Sequence, residues 1–246
     1  SHRIDRPDPD ELNPFPEYIT PREIEAGNPL LKPEQIHSIE LEFRYHTEHL
    51  SFFPSIYYKQ THDEFSDVTR YINDSTTLTV PLNIEKERWG GLECALSWTP
   101  SKNYHFNLNS NIFYQLIDAE NIGYEERTSI SSDTKLAAYF NVFKSTKIQF
   151  NATYRSSTLT AQGKLLPVYF VNAGFRQELF HNKCSLTLTI SDLFKTLQWR
   201  NIIDADELYQ KVTRKRNSQV IYLGFSYRFG ISPKNSGEDL QFDNKL

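Results

Sequence analysis

Val220-Ile221-Tyr222-Leu223-Gly224-Phe225-Ser226-Tyr227-Arg228-Phe229 decides how the rest of the chain is read. Ile221, Leu223, Phe225, Tyr227 and Phe229 are large and apolar or aromatic, while Tyr222, Gly224, Ser226 and Arg228 between them are small, polar or amphipathic. Side chains of a strand alternate between its two faces, so one face here is apolar throughout and the other is wet. A tilted strand of roughly 9–11 such residues crosses a bilayer. A half-buried strand of a soluble protein has the same pattern, so recurrence has to decide.

The pattern recurs. Ile39, Leu41, Phe43 and Tyr45 share a face against Glu40, Glu42, Arg44 and His46 in the first complete strand, 36–46. After a polar turn at 47–51, Phe52, Pro54, Ile56 and Tyr58 oppose Phe53, Ser55, Tyr57 and Lys59, with Pro54 expected at a bulge or weak pairing point. Leu92, Cys94, Leu96 and Trp98 then alternate with Gly91, Glu93, Ala95 and Ser97. The clearest strand follows the turn 99–103, where Tyr104, Phe106, Leu108, Ile112 and Tyr114 alternate with His105, Asn107, Asn109, Asn111 and Gln115. A dry core would leave some of those amides unpaired at roughly 1–3 kcal/mol each, whereas a water-filled lumen solvates them. Further alternating runs cover 134–143, 147–155, 168–179 and 184–190, with a phase slip at Asp192 that reads as a bulge.

The count is nine full strands plus a stub at 1–6. The connections alternate between short (47–51, 99–103, 144–146, 181–183) and longer and polar (61–86, 118–133, one passing near 162–164, 200–217). Short turns on one side and long loops on the other are the habit of bacterial outer-membrane barrels. The expected fold is all-β, an antiparallel transmembrane β-barrel meander of about 9–10 strands. Residues 1–35, which hold Pro7, Pro9, Pro14, Pro16, Pro21, Pro29 and Pro33, read as a long extracellular loop with a strand stub; residues 36–230 as the barrel strands; and 231–246 as a polar tail.

Composition agrees. Of 246 residues, 38% are hydrophobic, with 14 Tyr and 17 Phe to supply interfacial girdles. A mean hydropathy of -0.57 and the lack of any 18-residue apolar run exclude a helical membrane protein. The net charge of -4 gives no reason to expect nucleic acid. Cys94 and Cys184 form neither metal-ligand spacing nor a disulfide framework. His62-Asp63-Glu64 reads as a solvated loop rather than a metal site. No nucleophile–base pair is picked out by spacing, so neither an enzyme, a metal nor a cofactor is expected. The inward-facing set, expected to line a lumen, hold a plug or guide a solute, is Glu40, Glu42, Arg44, Lys59, Glu93, His105, Asn107, Asn109, Asn111, Arg155, Arg176, Glu178 and Arg228.

Several segments resemble one family. Arg3-Ile4-Asp5-Arg6-Pro7, Leu12-Asn13-Pro14-Phe15 and Gly27-Asn28-Pro29-Leu30-Leu31-Lys32-Pro33-Glu34 are similar to the series that precedes the last strands of TonB-dependent receptors and the related outer-membrane β-barrel family. Gly90-Gly91-Leu92-Glu93 is similar to a "GxE" strand of that family. Ser191-Asp192-Leu193-Phe194 resembles its "NLF" segment with Ser and Asp in place of Asn, and Tyr222 to Phe229 resembles its closing strand. The resemblance implies the C-terminal part of a larger, roughly 22-stranded barrel. It further implies uptake of a scarce solute across the bacterial outer membrane, with a plug domain and an energy-transducing inner-membrane complex as partners. Outer-membrane lipid would surround it. A structural barrel subunit bound to a surface lipoprotein or another assembly partner is the alternative. The Gly27–Glu34 stretch itself reads either as a ligand contact or, more simply, as a proline-locked lead into the next strand.

Overall fold

The structure, a computed structural model, describes residues 1–229 apart from 182, 206 and 207; the tail expected at 231–246 lies outside the described residues. Its strands are β1 (His2–Asp5), β2 (Glu17–Thr20), β3 (Glu23–Glu25), β4 (Glu34–Glu42), β5 (Tyr45–His46), β6 (Leu50–Asn73), β7 (Thr76–Ser101), β8 (Tyr104–Ala119) and β9 (Tyr124–Phe143). They continue as β10 (Thr146–Arg155), β11 (Thr158–Thr160), β12 (Gly163–Leu165), β13 (Val168–Leu179), β14 (Cys184–Ile190), β15 (Trp199–Ala205), β16 (Leu208–Arg214) and β17 (Ile221–Tyr227). One sheet runs in the order β1-β4-β6-β7-β8-β9-β10-β13-β14-β17, antiparallel throughout this path. These are the nine full strands and the stub, laid out as a meander. Among the described residues β1 and β17 do not pair with each other, so the sheet is an open wall rather than a closed barrel.

The apolar face of this wall points away from the protein. Ile39 (74% exposed), Ile56 (63%), Leu223 (67%) and Phe225 (69%) have no protein cover, as befits side chains whose solvent is lipid. Aromatic rows bound this face. On the turn side Trp98 stacks on Phe106 at 5.6 Å, and Phe106 and Tyr104 meet Phe140 at 5.8 and 6.1 Å. On the other side Tyr58 and Tyr114 both stand opposite Gly90. From Trp98 to Gly90 is roughly 26 Å along the strand, or about 20 Å once tilted, close to the ~25 Å apolar band of such barrels.

Beyond the Tyr58 row the structure differs from the sequence-based reading. The polar stretch 61–86, expected as a loop, is a continuous hairpin in which β6 and β7 stay paired up to Asn73 and Thr76. The stretch 118–133 likewise keeps β8 and β9 paired around a short 3-10 turn, Glu120–Ile122, closed by Gly123 at φ 91. Past the lipid band neither strand face needs to be apolar, so the alternation that marks a strand fades while the β-branched run Thr76, Thr77, Thr79, Val80 still favours extension. The loops expected near 162–164 and at 200–217 hold strands as well: β11, β12, β15 and β16 form a second, four-stranded sheet. Pro54 sits where β4 gives way to β5, with Phe43 donating its N–H to the Pro54 carbonyl. At Asp192 there is no bulge, because β14 ends at Ile190 and Asp192 (φ 43) turns the chain. Its carboxylate accepts N–H groups of Thr196 and Leu197 and the hydroxyl of Ser218, tying down the loop after the strand.

The proline-rich start is folded onto the β6–β7 hairpin. β2 and β3 pair, and β3 runs parallel to β7 at Glu23 opposite Thr77. Gly27 is pressed so closely to the 11–13 turn that a Cβ would lie 2.5 Å from the Glu11 carbonyl. Asn28 donates its amide to the Pro81 carbonyl at 3.1 Å, and the Asn83 amide brackets the Lys32 backbone at 2.9 Å on both sides. Glu34 accepts the Phe65 N–H at 2.7 Å. The Gly27–Glu34 stretch is thus a docking strip for the hairpin.

Candidate functional site

The small sheet packs against the polar face of the wall. Ala161 joins Ile84, Ile117 and Ala119 in a buried cluster that Leu159, Ile122 and Tyr124 complete. Gln162 clamps the junction. Its carbonyl accepts the Thr69 N–H at 2.6 Å, and its amide donates to the Thr69 carbonyl at 2.8 Å and to the Tyr124 hydroxyl at 2.7 Å. Gly163 lets the hairpin press against β15, since a Cβ there would fall 1.9 Å from the Ile202 carbonyl.

Between wall and hairpins lies a cavity of about 1040 Å³. Its wall side carries Glu64, Glu87, Trp89 and Gln115; its hairpin side carries Trp199, Arg200 and Asn201. Gln115 donates to the Glu87 carboxylate at 2.8 Å and accepts the Leu159 N–H at 3.1 Å, so this pair is spoken for. Three buried polar atoms are not: Trp89 Nε1, Arg200 Nε and Asn201 Oδ1 have no hydrogen-bond partner. Buried polar atoms are nearly always paired in folded proteins, so three around one cavity mark a place suited to a polar guest. Glu64 stands six residues past Tyr58 on β6, outside the lipid band. Burial, followed by the adjoining Glu87 carboxylate, pushes its carboxyl up to about 9.

The residues expected from sequence are dispersed. Arg155 lines the large cavity, and with Asn107 and Asn109 it also lines a smaller one of about 270 Å³, beside Lys135, Asn151 and Asn172. Arg155 pairs with Asp133 at 2.9 Å. Asn111 exchanges hydrogen bonds with the Tyr57 hydroxyl, and His105 shares one through Nδ1 with the Thr99 hydroxyl. Arg176 and Glu178 form an ion pair at 2.9 Å low on β13, and Arg44 pairs with Glu42 at 2.7 Å on the exposed end of β4. Glu40 stands opposite Tyr57, Lys59 opposite Trp89, and Glu93 opposite Asn111. Arg228 follows the end of β17, where its N–H reaches the Lys183 carbonyl. Apart from Arg155, none of them lines the large cavity.

Sequence reasoning missed Glu64, Glu87, Trp89, Trp199, Arg200, Asn201 and Gln162 as site residues. Glu87 and Trp89 were within reach, since they continue the Gly91–Glu93 face by the same alternation. Glu64 was not. Asp63 adopts a left-handed backbone (φ 54), which turns Glu64 to the cavity while His62 keeps the outward side of Tyr58.

Residues 1–227 match the sequence profile of the outer membrane protein beta-barrel family. No curated protein matches the chain. Solved structures similar to it include the siderophore receptor PirA from Pseudomonas aeruginosa (11% identity, TM-score 0.59), which covers 91% of this chain and 37% of that receptor. The copper transporter OprC is similar at 13% identity and TM-score 0.61, over 93% of this chain and 36% of the transporter. The ferric enterobactin receptor PfeA from Pseudomonas aeruginosa is similar at 15% identity and TM-score 0.56, over 91% of this chain and 37% of the receptor. The chain therefore spans little more than a third of their length, and at such identity the likeness is one of fold. A profile match over nearly the whole chain, on an antiparallel wall with an outward lipid-facing surface, makes the chain a member of the outer membrane protein beta-barrel family, seated in the bacterial outer membrane.

Proposed function

We propose that the chain is the C-terminal wall of a TonB-dependent receptor that takes up a scarce solute across the outer membrane. The observation behind this reading is the cavity of about 1040 Å³, with unpartnered polar atoms on both its wall and hairpin sides. The clamped hairpins β11–β12 and β15–β16 act as its cover, and the Asn107–Asn109 row, with Lys135 and Arg155, continues the polar path along the wall. A plug domain and an energy-transducing inner-membrane complex are the partners this reading requires. Ferric siderophores and copper are the first solutes to test, because the similar solved receptors carry them. In cells making the whole protein, accumulation of labelled solute should require the inner-membrane complex and fall with Trp89→Ala plus Asn201→Ala. Accumulation independent of that complex would overturn the proposal.

A second reading, a partner-binding barrel, is favoured by Phe15 (78% exposed) and Leu30 (83%) on the docked N-terminal segment. It predicts a co-purifying surface lipoprotein that Phe15→Ser plus Leu30→Ser releases.

A further inference from the structure

Immediately past the Tyr58–Tyr114 row, the outward face of the wall changes character. The next hydrogen-bonded row across the strands holds His2, His37, Gln60 and Arg88 in register, and the row after it holds His62 and Lys86. These share the outward side of Tyr58 and Ile39, not the cavity side, because they keep the strand alternation below Asp63. They stand ~7 and ~13 Å further along strands that tilt, which places them in the headgroup layer when the Tyr58 row marks the edge of the hydrocarbon.

The chemistry of the belt is that of an anion site. Arg88 is half-buried, has no ion-pair partner among the described residues, and its Nε has no hydrogen-bond partner. Tyr58 donates its hydroxyl to Gln60 Oε1 at 2.9 Å, and Gln60 Nε2 donates to His62 Nε2, which leaves Nδ1–H as the donor of the His62 ring. His2 and His37 stack at 4.3 Å, and the His62 ring stands edge-on to His37 at 6.5 Å. Asp118 faces this belt as well, but it is taken up by Lys86 at 3.7 Å. The histidines do not make a metal centre, since no group of three His, Cys, Asp or Glu among the described residues is placed to hold an ion.

We propose that His37, His62 and Arg88, flanked by His2, bind the phosphate groups of a lipid headgroup in the outer leaflet. Arg and imidazole N–H groups donate charge-assisted bonds to phosphate oxygens, and a headgroup at this depth meets them without leaving the membrane. Such a site fixes the height and rotation of the wall in the bilayer, independently of what the cavity carries.

The test uses the whole protein, purified in detergent and exposed to synthetic lipid A, either bis-phosphorylated or dephosphorylated, with bound lipid counted by native mass spectrometry. The wild-type protein should retain the phosphorylated form about tenfold better, and His37→Gln/His62→Gln/Arg88→Gln should remove that preference. Equal retention of the two lipids by wild type, or an unchanged preference in the variant, would overturn the proposal. Displacement by equimolar inorganic phosphate would also overturn it, by making the belt a site for free anions. Heat-modifiable migration reports folding of each variant. Should the triple variant not fold, Arg88→Gln alone carries the same comparison.

Discussion

Asp63 shows how one backbone angle redirects a strand. Its φ of 54 lies in the left-handed region, where Asp and Asn are tolerated and β-branched residues are not. Asp63→Val should cost the upper hairpin ~1–2 kcal/mol, whereas Asp63→Gly should be near neutral; hydrogen exchange of 64–84 separates the two. The turn at Asp63 delivers Glu64 to the cavity beside Glu87, and that has a pH consequence. Glu64 titrates near 9 in the folded protein but near 4.5 when unfolded, so between these values the native state holds a proton that the unfolded chain has released. Stability is therefore fully present below the lower value and drains away as pH rises through the upper one. In Glu64→Gln this slope should vanish, leaving the variant more stable than wild type at about pH 9 and little changed at about pH 5. Denaturation midpoints in detergent across that range decide it, and parallel curves for both proteins would refute the placement of Glu64.

At the scale of elements, the small sheet stands or falls with Gln162. Replacing it by Ala removes three hydrogen bonds and strands the Thr69 N–H and carbonyl, so docking of β11–β12 should weaken by ~2–4 kcal/mol while the main wall is untouched. Faster exchange and proteolysis confined to 158–165 is the expected result; loss of exchange protection in β8–β10 as well would mean the hairpin is part of the wall's own stability. The sequence was legible wherever the lipid imposed a period of two, as on Leu92 to Trp98 and Tyr104 to Tyr114, because a strand between lipid and water must alternate. It was not legible in the 61–86 hairpin or in β11, β12, β15 and β16. There both faces meet water or other polar strands, so no alternation of apolar and polar residues marks the strands, and only the β12–β15 pairing joins segments distant in sequence. The large cavity was hidden because it is made by Gln162 meeting Thr69 across 93 residues.

For the molecule as a whole, the governing fact is that its apolar surface is on the outside and its polar surface on the inside, the inverse of a water-soluble sandwich. Leu108 and Asn109 are neighbours in β8 on the two sides of this division. Leu108 sits in the outward row with Leu96 and Leu136, between the Trp98 and Tyr58 girdles, while Asn109 lines the smaller cavity beside Lys135. An arginine facing lipid near the midplane costs ~2–4 kcal/mol, and one in a wet lumen costs little. Leu108 lies one rung inside the Trp98–Phe106 row, between the interface and the midplane, so Leu108→Arg should lower the folding free energy of the whole protein in bilayers by about 1–3 kcal/mol, and Asn109→Arg should be tolerated. The comparison is sharp because both substitutions add the same side chain to adjacent positions of one strand, so propensity and chain entropy nearly cancel. Refolding into vesicles, read by the heat-modifiable band over a urea series, measures both. Equal cost at the two positions would mean that the faces are not lipid and lumen, and with that the outward girdles, the headgroup belt and the transport reading would all lose their footing.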